Sequence, residues 1–350
     1  MPEVSIIIPT NRRNKVMIPK IRNIQSALLR NHFSRTFTNE FIDLITQRTF
    51  DVNHYLELTL SSLSYQTFKD FEVIISHRYP EDALETVKME WGFPIKLVKE
   101  KPSIWHDLGE KYPTLCNNIN TGVIHSSGEL LWRLDDLTFF NNRALEELWS
   151  NWKNGYYSTS RGFRCIDFEE KCLGMKERSV RVGPNKYNCY YNGWLGQLKP
   201  LTMEGNEIPS WMMWGFSSTM SIDDFLEVNG QDEIYDGSIS GTDIEIAMRI
   251  AKINKQRRLA TQNFVYEIND VPYKYMARDD VAMRRLWQVN NLTANDWKPT
   301  EKQMKLYERW HKKKLGELDE YWNQFMNVPY LDMKKEYKDK KLGKIVYESE

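Results

Sequence analysis

Two neighbouring carboxylates, Asp135 and Asp136, follow directly on a mostly apolar run, Glu129-Leu130-Leu131-Trp132-Arg133-Leu134. Such a run reads as a buried strand, so the pair stands at the strand's carboxyl end, where open α/β sheets bind their ligands. Side by side, two ionised carboxylates repel unless a cation or protons compensate them. Their oxygens suit a hard divalent ion, Mg²⁺ or Mn²⁺, and such an ion in turn holds a diphosphate. A solvated turn after a strand would look the same, so the pair is judged by its surroundings. A third acid, Asp243, lies in Gly241-Thr242-Asp243, ahead of Ile244, Met248 and Ala251. That i, i+4, i+7 spacing is one apolar helix face, which puts Asp243 at a helix N-terminus. Glu245 projects roughly 200° away around the same helix and has Arg249 at i+4, the favourable order for a surface ion pair.

These acids need elements to hold them. Val4-Ser5-Ile6-Ile7-Ile8, closed by Pro9-Thr10-Asn11, reads as a buried parallel strand running into a loop. Phe71-Glu72-Val73-Ile74-Ile75 repeats the pattern. Between them Asn53 can cap a helix whose Leu56, Leu60 and Leu63 share a face, which completes a βαβ unit and makes the fold α/β. Ile95-Lys96-Leu97-Val98 reads as a third strand, shorter or nearer an edge, and Asn117 to His125 as a helix ended by Ser126-Ser127-Gly128. Residues 14–50 are expected to be a helical insertion, since Ile21, Ile24 and Leu28 keep helical spacing. Residues 150–215, rich in Gly, Tyr, Trp and Asn with weak periodicity, read as irregular structure over a site. The chain is therefore divided into a domain of residues 1–270 and a helical C-terminal extension of residues 271–350. In the extension Thr300-Glu301-Lys302-Gln303 forms a capping box, and Leu315, Leu318, Trp322 and Phe325 recur at helical spacing up to Pro329.

Composition removes whole classes of function. Hydrophobic residues are 41% of the 350 and charged ones 27%, so a packed core is available. Lys+Arg and Asp+Glu both total 48, so no global basic field advertises nucleic acid. No apolar run approaches the roughly 18 residues of a membrane span, and the start lacks the regions of a signal peptide, so a cytoplasmic protein is expected. Cys116, Cys165, Cys172 and Cys189 show no metal-ligand spacing and are expected to be reduced thiols, with a Cys165–Cys172 bridge as the alternative. Lys312-Lys313-Lys314 near Trp310, Tyr321 and Trp322 would suit peripheral contact with an anionic membrane surface. Packing of the aromatic side on the main domain is the favoured account.

Several segments in order resemble glycosyltransferase family 2, whose members have the GT-A fold. Val4 to Arg12 resembles the family's opening strand, and Leu60-Ser61-Ser62-Leu63-Ser64-Tyr65-Gln66-Thr67, leading to Glu72-Val73-Ile74, resembles its "SLxxQT … EVI" stretch. Asn120-Thr121-Gly122 followed by Ser126-Ser127-Gly128 is similar to its "N-x-G-x-x-x-A-x-G" segment, and Leu134-Asp135-Asp136 falls where the metal-binding DxD-type motif belongs. Val228-Asn229-Gly230-Gln231-Asp232-Glu233 and Gly241-Thr242-Asp243 through Arg249 resemble "GGFDE … GEDxDLxxR".

The resemblance implies a Rossmann-like, mostly parallel twisted sheet flanked by helices, and transfer of a sugar from a nucleotide-sugar donor to an acceptor hydroxyl. By position, Pro9, Thr10 and Arg12 would line the nucleotide pocket, with Asn117 and Asn120 below it. His77 stands where the family carries an aspartate that reads the base. Asp135 would contact the ribose or the metal, and Asp136 would be the principal ligand of Mn²⁺ or Mg²⁺. Asp243 would be the general base of an inverting reaction, and Trp211, Trp214 and Gly215 would belong to the acceptor side. The third acid that commonly follows the metal pair is replaced by Leu137-Thr138. Two other readings remain open: a non-catalytic binder of carbohydrate or nucleotide-sugar on the same fold, and a nucleotidyltransferase. The latter would want a Gly- and Arg-rich phosphate loop that Pro9-Thr10-Asn11-Arg12-Arg13 does not supply.

Overall fold

The β-branched runs pair side by side because each is apolar on both faces and must be covered on both. A computed structural model describes residues 2–10, 55–103, 106, 114–136, 138–165, 217–233, 236, 242–253, 257–268 and 332–342. The strands are β1 (Val4–Thr10), β2 (Phe71–His77), β3 (Ile95–Lys99), β4 (Leu130–Leu134), β5 (Thr138–Phe140), β6 (Tyr156–Cys165), β7 (Ser217–Ser221) and β8 (Arg257–Ile268). They form one eight-stranded sheet in the order β3-β2-β1-β4-β7-β6-β8-β5. From β3 to β4 every pairing is parallel, and β1, β2 and β4 are buried along their whole length. β3 closes this edge and is only partly buried, as its shorter apolar run implies. Beyond β4 the sheet turns mixed, with β7 antiparallel to both neighbours, β6 parallel to β8 and β5 antiparallel at the far edge.

Helices cover both faces. On one face α1 (Tyr55–Ser64) buries Leu56, Leu60 and Leu63 against Val4, Ile6, Ile8 and Trp132, together with Leu145 and Leu148. Each fully buried leucine there contributes about 1.5–3 kcal/mol. On the other face Ile7, Ile74 and Leu131 meet Ile119 and Val123 of α2 (Leu115–Ile124). α2 lies so close to β1 that a Cβ on Gly122 would sit 2.6 Å from Ile7 Cγ2. α3 (Ala144–Lys153) carries Leu145 and Leu148, and α4 (Ile222–Glu227) carries Phe225. α5 (Thr242–Ile253) adds Ile246, Ala247 and Ile250 to the second face.

One sequence expectation changes here. The region from 150 to 215 begins with the end of α3 and a ten-residue strand, β6. Tyr157-Ser158-Thr159-Ser160 is buried although three of its residues are polar, so hydrophobic periodicity could not mark it. Within the C-terminal extension the described residues beyond Pro329 are helical: α6 (Met333–Lys341) is capped by Asp332, which accepts the Lys335 N–H at 3.0 Å. Met333 is fully buried beside Phe225, so this piece of the extension docks on the main domain. The insertion at 14–50, residues 166–215, the capping box at 300 and the aromatic–lysine cluster around 310–322 lie outside the described residues.

Candidate active site

Parallel strands place their carboxyl ends along one edge, so Thr10, His77 and Asp135-Asp136 gather there by topology. Thr10 pairs with His77 in register, and β4 runs alongside β1 up to Arg133 opposite Ile7. A side-chain bond then closes the gap: Thr10 Oγ1 donates to Asp136 Oδ2. Asp136 is buried, and the turn that carries it is pinned from below. Thr59 of α1 donates its hydroxyl to the carbonyls of Asp136 and Thr138 at 2.9 and 2.7 Å, and Thr138 Oγ1 donates to the Asp135 carbonyl at 2.6 Å. Asp135 is only half-buried. Pro9 is buried in β1 opposite Ser76.

His77 is almost fully buried at the end of β2, and its Nδ1 accepts the Tyr79 N–H at 2.7 Å. That bond fixes Nδ1 as the unprotonated nitrogen of the neutral ring. Beside it Arg78 donates to the His106 carbonyl at 3.2 Å, and His106 Nε2 lies 3.2 Å from Glu100 Oε1.

The two asparagines expected under the nucleotide have work inside the fold. Asn117 is fully buried, donates to the Lys101 carbonyl at 2.8 Å and accepts from Thr121 Oγ1 at 3.4 Å. Asn120 holds the 228–233 turn: its Nδ2 donates to the Gln231 carbonyl and to Glu233 Oε1, and its Oδ1 accepts the Gln231 N–H, each at 2.8 Å. Gly230 sits in that turn at φ +70°, where an added Cβ would lie 2.6 Å from Asn120 Oδ1. The asparagine that reaches the strand ends is Asn118, which the motifs do not single out. It accepts from Ser76 Oγ at 2.8 Å and donates to the Thr10 carbonyl at 3.5 Å. Asp236 caps the start of α2 by accepting the N–H groups of Cys116 and Asn117 at 2.7 and 3.2 Å. Full burial, followed by the nearby Glu233 and Glu100, holds its carboxyl well above the usual range.

Asp243 is the second residue of α5 and half-buried. It lines a small cavity with Arg133 of β4 and Ser218 of β7, which sets it against the strand that ends in the acid pair. Arg249, expected to pair with Glu245, donates to the carbonyls of Val228 and Gly230, so it ties α5 to the 228–230 turn. The Glu245 side chain, Arg12, Trp211, Trp214 and Gly215 lie outside the described residues.

A hard cation fits Asp135 and Asp136 by donor chemistry, though they are few. Among the described residues no group of three or more His, Cys, Asp or Glu side chains could hold a metal. The remaining positions of such a shell would fall to diphosphate oxygens and water. Among the described residues no helix is long and apolar enough to cross a membrane.

No family model matches the sequence, and no curated protein matches it. Solved structures do. The crystal structure of S. aureus TarS 1–349 in complex with UDP-GlcNAc is similar over 96% of this chain and 78% of that one, with TM-score 0.50 and 10% identity. The structure of S. aureus TarS matches over 84% of this chain at TM-score 0.48 and 12% identity, and this chain covers 40% of its length. At such identities the likeness is one of fold, and the fold is the GT-A-type α/β sheet that the motifs imply.

Proposed function

We propose that the protein is a glycosyltransferase that moves a sugar from a nucleoside-diphosphate donor to an acceptor hydroxyl with inversion. One observation carries this reading. The acid pair, tied through Asp136 to Thr10 of β1, stands at the carboxyl edge of the parallel strands of a GT-A-type sheet, with Asp243 presented from a helix against the same strand. The resemblance of the 228–233 and 241–249 segments to family 2 and the fold shared with TarS support it.

In this reading Thr10, Pro9 and the end of β2 at His77 bound the nucleotide. Asn117 and Asn120 act beneath it by holding α2 and the 228–233 turn in place. Asp136, with Asp135 beside it, would hold Mn²⁺ or Mg²⁺, and a cation bound there supplies charge neutralisation for the departing diphosphate. Asp243 accepts the proton of the acceptor hydroxyl as that oxygen attacks the anomeric carbon from the face opposite the leaving group. The new C–O bond forms as the old one breaks, and the nucleoside diphosphate leaves with the bonding pair.

The test is a calorimetric panel of nucleoside diphosphates and nucleotide-sugars with and without Mn²⁺, beginning with UDP-GlcNAc because TarS 1–349 holds it. Binding of one of them, with slow release of free sugar in water, is the expected result. Binding without any turnover over days would favour a non-catalytic binder on this fold. No binding by any member would sink the reading.

A further inference from the structure

Two buried threonine hydroxyls converge on Asp136. Thr10 closes β1 and is buried, and its Oγ1 donates to Asp136 Oδ2. Thr59 of α1 has no exposure at all and stands between Leu58 and Leu60, both fully buried. Its hydroxyl reaches the carbonyls of Asp136 and Thr138 at 2.9 and 2.7 Å. A hydroxyl shut away from water costs free energy unless it is bonded, and an apolar side chain at such a position would need no acceptor. The acceptors lie 77 and 79 residues further along the chain, so these bonds join α1 to the turn between β4 and β5.

The two hydroxyls act on different parts of one residue. Thr59 holds the backbone of Asp136, and Thr10 holds its carboxylate. The last torsion of an aspartate is broad, so a bond to one oxygen is what sets the plane of the carboxylate. Thr10 is a stiff donor, because a β-branched side chain has few χ1 settings. Its main chain is fixed as well: it pairs with His77 in the β1–β2 register, and its carbonyl accepts from Asn118 Nδ2 at 3.5 Å. A cation ligand must present its oxygen in a set direction, and outer-shell hydrogen bonds supply that direction at metal sites. Among the described residues no third acid joins the pair in a metal-holding group, so the orientation of each weighs more.

We propose that Thr10 and Thr59 are positioning residues, which hold Asp136 in the orientation in which it takes Mn²⁺ or Mg²⁺ together with a nucleoside diphosphate. The inference rests on the sugar-transfer reading, from which it takes the cation. It adds Thr59, a residue that no motif singles out, and gives the Thr10 hydroxyl a task other than touching the nucleotide.

The experiment titrates UDP, GDP, CDP and ADP into the full chain by calorimetry, in MnCl₂ and in metal-free buffer. The tightest binder is then used for the variants, and the quantity read is the ratio of its affinity with Mn²⁺ to that without. Thr10→Val keeps the shape of the side chain and loses the hydroxyl, and its ratio should fall by about tenfold or more. Thr59→Val should lower the ratio in the same direction. Thr10→Ser and Thr59→Ser keep the hydroxyl and should return the ratio close to wild type. A nucleotide contact or a purely structural role would weaken binding alike in both media and leave the ratio unmoved. An unchanged ratio in Thr10→Val, or a fall that the serine variants do not undo, overturns the proposal. An unchanged ratio in Thr59→Val removes Thr59 from it. Should Thr10→Val fail to fold, the two Thr59 variants carry the test, and an unchanged ratio there is equally fatal. Wild type separates the two layers. If it binds none of the four nucleotides, the sugar-transfer reading falls and the proposal with it. Equal binding with and without Mn²⁺ removes the positioning proposal alone and leaves the nucleotide site standing.

Discussion

The strands β3-β2-β1-β4 and the strands β7-β6-β8-β5 share one sheet but satisfy their buried groups in different ways. In the parallel half the polar side chains near the candidate nucleotide site have partners within the fold. Asn117 and Asn120 are engaged by backbone, Asp136 by Thr10, and Asn118 by Ser76. In the mixed half the strands are held by small hydroxyls, as where Thr159 Oγ1 donates to the Ser217 carbonyl and the Ser158 N–H to Thr219 Oγ1. At the seam between the halves Arg133 is buried with two nitrogens unmatched among the described residues. The lesson is physical: the asparagines and Thr10 of the parallel half are engaged by the fold itself, so these residue types double as scaffold. The seam is where a buried guanidinium lines the same small cavity as Asp243.

The largest effect expected lies on that seam. Asp243→Asn keeps the size and hydrogen bonding of the side chain and removes its basicity. Transfer should fall by about 10²–10⁴-fold, the usual worth of general-base catalysis, with donor binding retained. Single-turnover transfer at saturating donor reads it, beside Glu245→Gln as the control. Loss in the Glu245 variant instead would move the base away from the position where the helix phase puts it.

Next comes the acid pair at the edge of the parallel half. Asp136→Ala removes a proposed cation ligand and also the acceptor for Thr10. Mn²⁺-dependent affinity for a nucleoside diphosphate should drop by at least about tenfold, since even outer-shell changes at metal sites reach 10–100-fold. Calorimetry with and without Mn²⁺ decides it, and equal metal dependence in both proteins would take Asp136 out of the site.

The same contrast explains what could be read from the residues alone. β1, β2 and β4 were legible because continuous apolar runs are what strands covered on both faces require. The α1 face was legible through Leu56, Leu60 and Leu63. β6 and β7 were not, because Ser158, Thr159, Ser217 and Ser218 are buried in a hydroxyl-rich, hydrogen-bonded layer rather than by apolar character. The asparagines were legible in type but not in role, because an amide that clamps a turn and one that touches a ribose look alike in a sequence. Arg133 was in plain view as the one charge inside Leu130–Leu134, yet only pairing with Ser218 and cover by α5 reveal that it is enclosed.

Asn120 tests whether the parallel half is scaffold in the sense argued. Asn120→Ala strands the Gln231 N–H and frees the 228–233 turn, so stability should fall by about 1–3 kcal/mol. Urea unfolding measures that loss, and nucleoside-diphosphate affinity of the folded variant should stay close to wild type. The reverse pattern, unchanged stability with weakened nucleotide binding, would make Asn120 a donor contact.

The smallest effect sits farthest from the chemistry and probes the parallel half through pH. Glu72 of β2 is almost fully buried, and burial by itself would raise its pKa. Hydrogen bonds from Lys96, Ser127 and Ser5, with the Lys96 charge, outweigh burial and hold the carboxyl below its ordinary value of 4.5. The bonds are specific: Lys96 Nζ lies 2.7 Å from Oε2, while Ser5 Oγ, Ser127 N and Ser127 Oγ donate to Oε1 at 2.8, 2.7 and 2.6 Å. Because the folded pKa lies below the unfolded one, the carboxyl binds fewer protons in the native state. Its stabilisation is therefore complete above about pH 4.5 and is lost as pH falls through the folded value. Wild-type stability should decline over that acid window, and Glu72→Gln, less stable at neutral pH, should decline less steeply there. Urea midpoints from pH 7 down to pH 3 give both slopes. Parallel slopes for the two proteins would mean that β1, β2 and the Ser127 turn are held together by packing alone, and that acid lability belongs to the other half of the sheet.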